Sequence, residues 1–133
     1  PIYQCDSYST TFTVGQLSTG KLIGGYTTTS WGHCGCYTGN TGNNFLFSLT
    51  NGYKIQHGTG NNSSYAQYNH NSYGPTFGGG HDLYIGSGMN GGNCNLGHDY
   101  ACQVGSYGTS TCRDDFCGSH SSWAIDDLEV WGL

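Results

Sequence analysis

Gly74-Pro75-Thr76-Phe77-Gly78-Gly79-Gly80-His81-Asp82-Leu83-Tyr84-Ile85 is the most constraining stretch of this chain. Three successive glycines permit positive φ values or a close approach of neighbouring backbone, and Leu83-Tyr84-Ile85 reads as a strand entering a core. His81 and Asp82 stand together at the mouth of that strand. They are expected to act as a polar pair that fixes the strand end by hydrogen bonds, not as a catalytic dyad.

The flanking segments have the same character. Thr10 to Leu17 alternates, with Phe12 and Val14 on one face and Thr11 and Thr13 on the other. The Ser18-Thr19-Gly20 turn leads into Leu22-Ile23-Gly24-Gly25-Tyr26 as a hairpin, and Thr27 to Trp31 continues extended. Gly32 to Asn44 reads as a loop. Phe45 to Leu49 is a buried strand that turns through Asn51-Gly52 into Tyr53-Lys54-Ile55. His57 to Tyr73 is almost wholly Gly, Asn, Ser, Tyr and His and is expected on the surface, as is Gly86 to Asn95. The end of the chain alternates again, with Leu128 and Val130 facing one way and Glu129 and Trp131 the other. About seven short strands separated by turns describe an all-β fold, a two-sheet antiparallel β-sandwich with little helix.

At 133 residues the chain is read as one domain spanning 1–133. Charged residues are 8% of it, against roughly 25% in ordinary soluble proteins. With a net charge of −5 and only Lys21, Lys54 and Arg113 as fixed cations, it has almost nothing to hold phosphates, which argues against nucleic acid as a partner. No apolar run is long enough for a membrane helix, so membrane insertion is not expected. Three Trp, eleven Tyr and five Phe supply the surface for a core that low hydrophobicity would otherwise deny. Seven cysteines, a first residue Pro1 and a lone methionine at Met89 suggest a processed, secreted, disulfide-stabilised chain. The overlapping glycosylation patterns in Asn61-Asn62-Ser63-Ser64 agree with an extracellular loop. The odd thiol is either buried and free or bridges to a second chain as a disulfide-linked homo-oligomer. Connectivity is open, and Cys112 with Cys117 and Cys94 with Cys102 are short enough in sequence to pair.

Several segments together resemble the TLDc domain family. They are Ile23-Gly24-Gly25-Tyr26 followed by Ser30-Trp31, Phe45 to Asn51, Gly74 to Ile85, Leu96-Gly97-His98-Asp99-Tyr100, and Asp127-Leu128-Glu129-Val130-Trp131. The resemblance implies two antiparallel sheets packed as a sandwich. It supplies no catalytic set, and the portion of the family that precedes the strand at Thr11 to Leu17 is short here. Intracellular members are associated with resistance to oxidative stress and with binding the proton-pumping ATPase, roles poorly suited to a cysteine-dense secreted chain.

Chemistry is then a matter of weighing clusters. His98-x3-Cys102 and Cys112-x4-Cys117-x2-His120 have zinc-compatible spacing, but extracellular cysteines at this density are expected in disulfides, so no metal is assigned. Asp114-Asp115 and Asp126-Asp127-x-Glu129 lack the regular spacing of a calcium loop. No two carboxylates are placed for glycoside hydrolysis, and Gly86-Ser87-Gly88 lacks the spacing of a nucleophile elbow. Neither catalysis nor a cofactor is expected. A sugar asks for neutral donors and acceptors beside an aromatic plane, which matches Tyr68, Asn69, His70, Asn71 and Tyr73, with Tyr65 beside them, and also His98, Asp99 and Tyr100; His33 with Tyr37 is a third such grouping. The expected partner is carbohydrate, as free hexose or N-acetylhexosamine or as glycoprotein glycans, bound by a lectin without catalysis. The alternative is an extracellular structural or protein-interaction module.

Overall fold

A computed structural model describes residues 7–39 and 42–133. Ten strands and one α-helix follow in order: β1 (Thr11–Leu17), β2 (Leu22–Thr27), β3 (Cys34–Thr38), β4 (Phe45–Ser48), β5 (Tyr53–Gln56), β6 (Gln67–His70), β7 (Tyr73–Phe77), β8 (Leu83–Gly86), β9 (Gly92–Cys94), α1 (Ser110–Cys117) and β10 (Ile125–Gly132), with a short 3-10 turn at Ser87–Met89. They form two antiparallel five-stranded sheets, β10-β1-β2-β4-β5 and β3-β6-β7-β8-β9. The sheets face each other across one core. Leu17, Ile23, Leu46 and Ile55 come from the first, and Phe77, Leu83, Ile85 and Cys94 from the second. This is the expected all-β sandwich.

Three surface or loop expectations are corrected. Cys34–Thr38 and Gly92–Cys94 are strands, and within the stretch expected on the surface Gln67 and Asn69 turn fully inward on β6. They are tolerated because they satisfy one another. Thr27 Oγ1 donates to Gln67 Oε1 at 2.5 Å, Gln67 Nε2 to Asn69 Oδ1 at 3.0 Å, and Asn69 Nδ2 to Thr38 Oγ1 at 2.5 Å. On β1, Thr11 and Thr13 are the buried face, and Phe12 with Val14 faces outward, half-buried. Thr11 Oγ1 accepts the buried Trp31 indole N–H at 2.9 Å, and Phe12 instead stacks on Phe47 at 4.9 Å on the outer side. The alternation of β10 is as read from the sequence, with Leu128 and Val130 half-buried and Glu129 and Trp131 exposed.

Six cysteines pair as Cys34–Cys36, Cys94–Cys117 and Cys102–Cys112, not as Cys112–Cys117 and Cys94–Cys102. The reason is α1. Thr109 caps its first turn by accepting from Cys112 N, and Gly118, at φ 79°, closes its end. Cys112 and Cys117, five residues apart on that helix, project in different directions and reach separate partners. The seventh cysteine, Cys5, lies outside the described residues.

The two sheets meet at Gly25, where an added Cβ would lie 2.5 to 2.9 Å from the ring of Phe77. Phe77 is fully buried and held edge-on by Trp31 at 5.4 Å, so it has no room to withdraw. Gly25→Ala is therefore expected to lower the unfolding free energy by about 1–3 kcal/mol through overpacking. Urea unfolding of the two proteins measures this directly, and equal midpoints would contradict it.

Candidate functional site

The triple-glycine turn sends its two polar neighbours to opposite sides. Asp82 is buried and His81 faces outward, half-buried, so they do not act as one pair. Asp82 Oδ2 accepts from the backbone N–H groups of Asp99 at 2.9 Å and Tyr100 at 3.0 Å. Asp99 reciprocates: Oδ1 accepts from Gly79 N at 2.7 Å, and Oδ2 from Tyr65 N at 3.0 Å. His98 Nδ1 lies 2.5 Å from Asp99 Oδ1, and His57 Nε2 lies 3.5 Å from Oδ2. Two carboxylates thus clamp the Tyr65 loop, the Gly78–Asp82 turn and the Gly97–Tyr100 segment together. Side chains are excluded where they would collide with the clamp, since a Cβ on Gly78 would overlap the Asp82 carboxylate.

The two acids ionise differently. Burial pushes Asp82 up from 3.8 to about 7, outweighing the hydrogen bonds from Tyr100 and Asp99, and its Oδ1 has no partner. Burial opposes ionisation of Asp99 too, but there the donors Gly79, His98 and Tyr65 win and hold it below the usual value. Asp82, His98 and Asp99 each offer a ligand atom within 4.8 Å of the others. A cation among them would have to displace donors, because both Asp99 oxygens are already engaged. The zinc spacings noted in the sequence are not available, since Cys102, Cys112 and Cys117 are all in disulfides.

Above this clamp lies the outer face of the second sheet. On β6, alternation turns Tyr68 and His70 outward while Gln67 and Asn69 go in. Neighbouring strands add Tyr37, Tyr73 and Tyr84, and loops add Tyr65 and His81. The rings touch in a row: Tyr65 to Tyr37 at 4.6 Å, Tyr37 to Tyr68 at 4.7 Å, Tyr68 to Tyr73 at 5.2 Å and Tyr73 to Tyr84 at 5.0 Å. No strand of this sheet carries Lys, Arg, Asp or Glu. Tyr37 donates to Gly79 O at 3.1 Å, which fastens the row to the turn, and burial followed by the adjacent phenols raises its pKa and keeps it neutral. His70 Nδ1 accepts from Ser72 N at 3.0 Å, so in the neutral ring the proton sits on Nε2.

The residues named from sequence therefore separate. Tyr68, His70 and Tyr73 belong to this face, and Asn71 is exposed at the turn beside it. Asn69, Asp99 and Tyr100 are corrected: at 3%, 0% and 0% exposure they are structural and cannot touch a surface ligand. Tyr100 instead donates its hydroxyl to Ala66 O at 2.8 Å. His98 is half-buried beside Gly79 and Gly80, where its ring and that of Tyr65 both come within 3 Å of the place a Cβ on Gly79 would take; it is edge-on to Tyr107 and next to a recess of about 280 Å³ lined by Thr59, Asn61 and Ser106 among others. Tyr84 and His81 were missed as members. The alternation of Tyr84 between Leu83 and Ile85 was the available signal, whereas nothing local marks His81.

Because the folded pKa of Asp82 is raised, the folded state holds a proton between 3.8 and about 7 that the unfolded chain releases, so raising pH through this window costs stability. Relative to Asp82→Asn, the wild-type unfolding free energy is expected to fall across that range by on the order of a few kcal/mol. Urea titrations at a series of pH values measure it; parallel curves for the two proteins would contradict it.

The family model of the TLDc domain matches residues 2–133, essentially the whole chain. No curated protein matches the sequence significantly. The match covers both sheets, the glycine turn and the clamp beneath the aromatic face, and it establishes that the chain belongs to the TLDc domain family.

Proposed function

We propose that this protein is a secreted carbohydrate-binding protein that recognises hexose or N-acetylhexosamine units without catalysis. The observation that carries the reading is the continuous tyrosine and histidine surface on a sheet whose strands carry no Lys, Arg, Asp or Glu. Sugar rings present C–H faces for stacking and hydroxyls for neutral donors and acceptors, and this surface offers both. Tyrosine loses little conformational freedom on binding, which suits a shallow, pre-formed site. The three disulfides support an oxidising compartment. With six cysteines paired within the chain, Cys5 is the one left to link chains, and a linked pair would gain avidity from two such surfaces.

The second reading is an extracellular interaction module. It is favoured by apolar groups on another face, Trp131 at 57% and Leu133 at 72% exposure. Competition by free sugar separates the two readings, because it should abolish lectin binding and leave protein assembly untouched.

On an array of neutral glycans the protein is expected to bind, to be inhibited by the matching free sugar, and to lose at least about tenfold in affinity on Tyr68→Ala or Tyr73→Ala, the loss of about one ring contact. Raising ionic strength should leave binding unchanged, since no charge pairs contribute. Absence of binding to any glycan, or binding abolished by salt, would remove this reading.

A further inference from the structure

His81 is the one non-glycine residue with positive φ among the described residues, at 54°. Histidine enters this region more readily than most residues, yet it still carries strain that glycine would not. The three positions before it are glycine, so the turn is already built from the residue that adopts such conformations freely. Its backbone role asks for no imidazole, because the N–H donates to Gly78 O at 3.2 Å, a bond glycine would make equally well.

The strain places the imidazole in the middle of the aromatic row. Its ring lies 5.0 Å from Tyr68, 5.5 Å from Tyr73, and 6.2 Å from both Tyr37 and Tyr84. Nε2 makes only a long contact of 3.4 Å with Tyr37 Oη, a weak bond that a ligand hydroxyl can replace. Burial among the rings lowers the pKa of His81 and favours the neutral form, with one donor and one acceptor. A half-buried polar group amid stacking surfaces is what a shallow sugar site uses to orient a ring.

We propose that His81 is the specificity-determining residue of this surface, with its imidazole hydrogen-bonding a hydroxyl of the sugar ring that stacks on Tyr68 or Tyr73. The assignment rests on the carbohydrate-binding reading and adds to it which polar group selects the ligand. The strained backbone serves to hold that imidazole over the rings. Sugars that differ only in the configuration of the hydroxyl facing His81 are then discriminated, because the wrong epimer leaves the imidazole unpaired beneath the ligand.

The test is isothermal titration of wild type, His81→Gly and His81→Asn with chitotriose, cellotriose, mannotriose and a galactose disaccharide, alongside thermal melts. His81→Gly is expected to melt no lower than wild type, since glycine takes this conformation without penalty, and to bind about tenfold more weakly, the worth of one hydrogen bond. His81→Asn, which also tolerates positive φ and restores a donor and an acceptor without the ring, is expected to recover part of the loss and to alter the ranking of the four sugars. Equal affinity of His81→Gly and wild type, or equal losses in the glycine and asparagine variants, overturns the role of His81 and leaves the lectin reading standing. Failure of wild type to bind any of the four sugars overturns the carbohydrate reading, and this inference with it.

Discussion

A reciprocal grip between two buried carboxylates organises one end of the sandwich. Asp82 holds the backbone of Asp99 and Tyr100, while Asp99 holds the backbone of Gly79 and Tyr65. Burying two acids is costly, and the cost is met in two ways: Asp99 collects donors on both oxygens, and Asp82 retreats towards its neutral form. Loops of low hydrophobicity, which could not be fixed by packing alone, are fixed here by hydrogen bonds to the two carboxyls, charge-assisted at Asp99. The glycines around the clamp let backbone approach the carboxylates where a side chain would collide.

The consequence reaches the surface through Gly79, whose N–H is held by Asp99 and whose carbonyl accepts the Tyr37 hydroxyl. The aromatic row is therefore tied to the interior through Gly79 and through the Tyr65 backbone, both held by Asp99. On the opposite side of the molecule the first sheet has its own outer stacks, Phe12 on Phe47 at 4.9 Å and Tyr26 on Phe45 at 4.8 Å, with Lys54 above Phe45. The two faces differ in kind. One has apolar stacks bordered by Lys54 on one side and by Glu129 on the other, and the other is hydroxylated, with no Lys, Arg, Asp or Glu on its strands.

Sequence reading reached the architecture because the first sheet is written in ordinary alternating strands, and β1, β2, β4, β5 and β10 all lie where the pattern places them. The second sheet was only partly legible. β6 reads Gln-Tyr-Asn-His, with no apolar residue facing in, and its inward residues are satisfied by Thr27 and Thr38 from distant positions that periodicity cannot reveal. For the same reason Asn69 reads in the sequence as a surface group. Asp99 and Tyr100 were misplaced because their burial follows from partners 17 and 34 residues away. The helix at Ser110–Cys117 has weak propensity and is bounded by a Thr cap and a Gly stop, a signal present in the sequence but overshadowed by its cysteines. The two pairs that short spacing suggests, Cys112 with Cys117 and Cys94 with Cys102, are not formed because that helix turns Cys112 and Cys117 apart.

The Cys34–Cys36 bridge lies on β3, the outermost strand of the second sheet, and the pairing with β6 shifts register across it. Gly35 between the two cysteines has φ 67°, so the strand is kinked on its open side. An unpaired strand edge is a template for adding another strand, and a tyrosine-rich neutral sheet without charged gatekeepers would be prone to such growth. The kink withholds a straight row of donors and acceptors from any incoming chain. At the far border β9 is only three residues long, and its Gly92 is already bridged to Trp123. Covalent bending at one margin and brevity at the other oppose strand addition at both borders of this aromatic sheet.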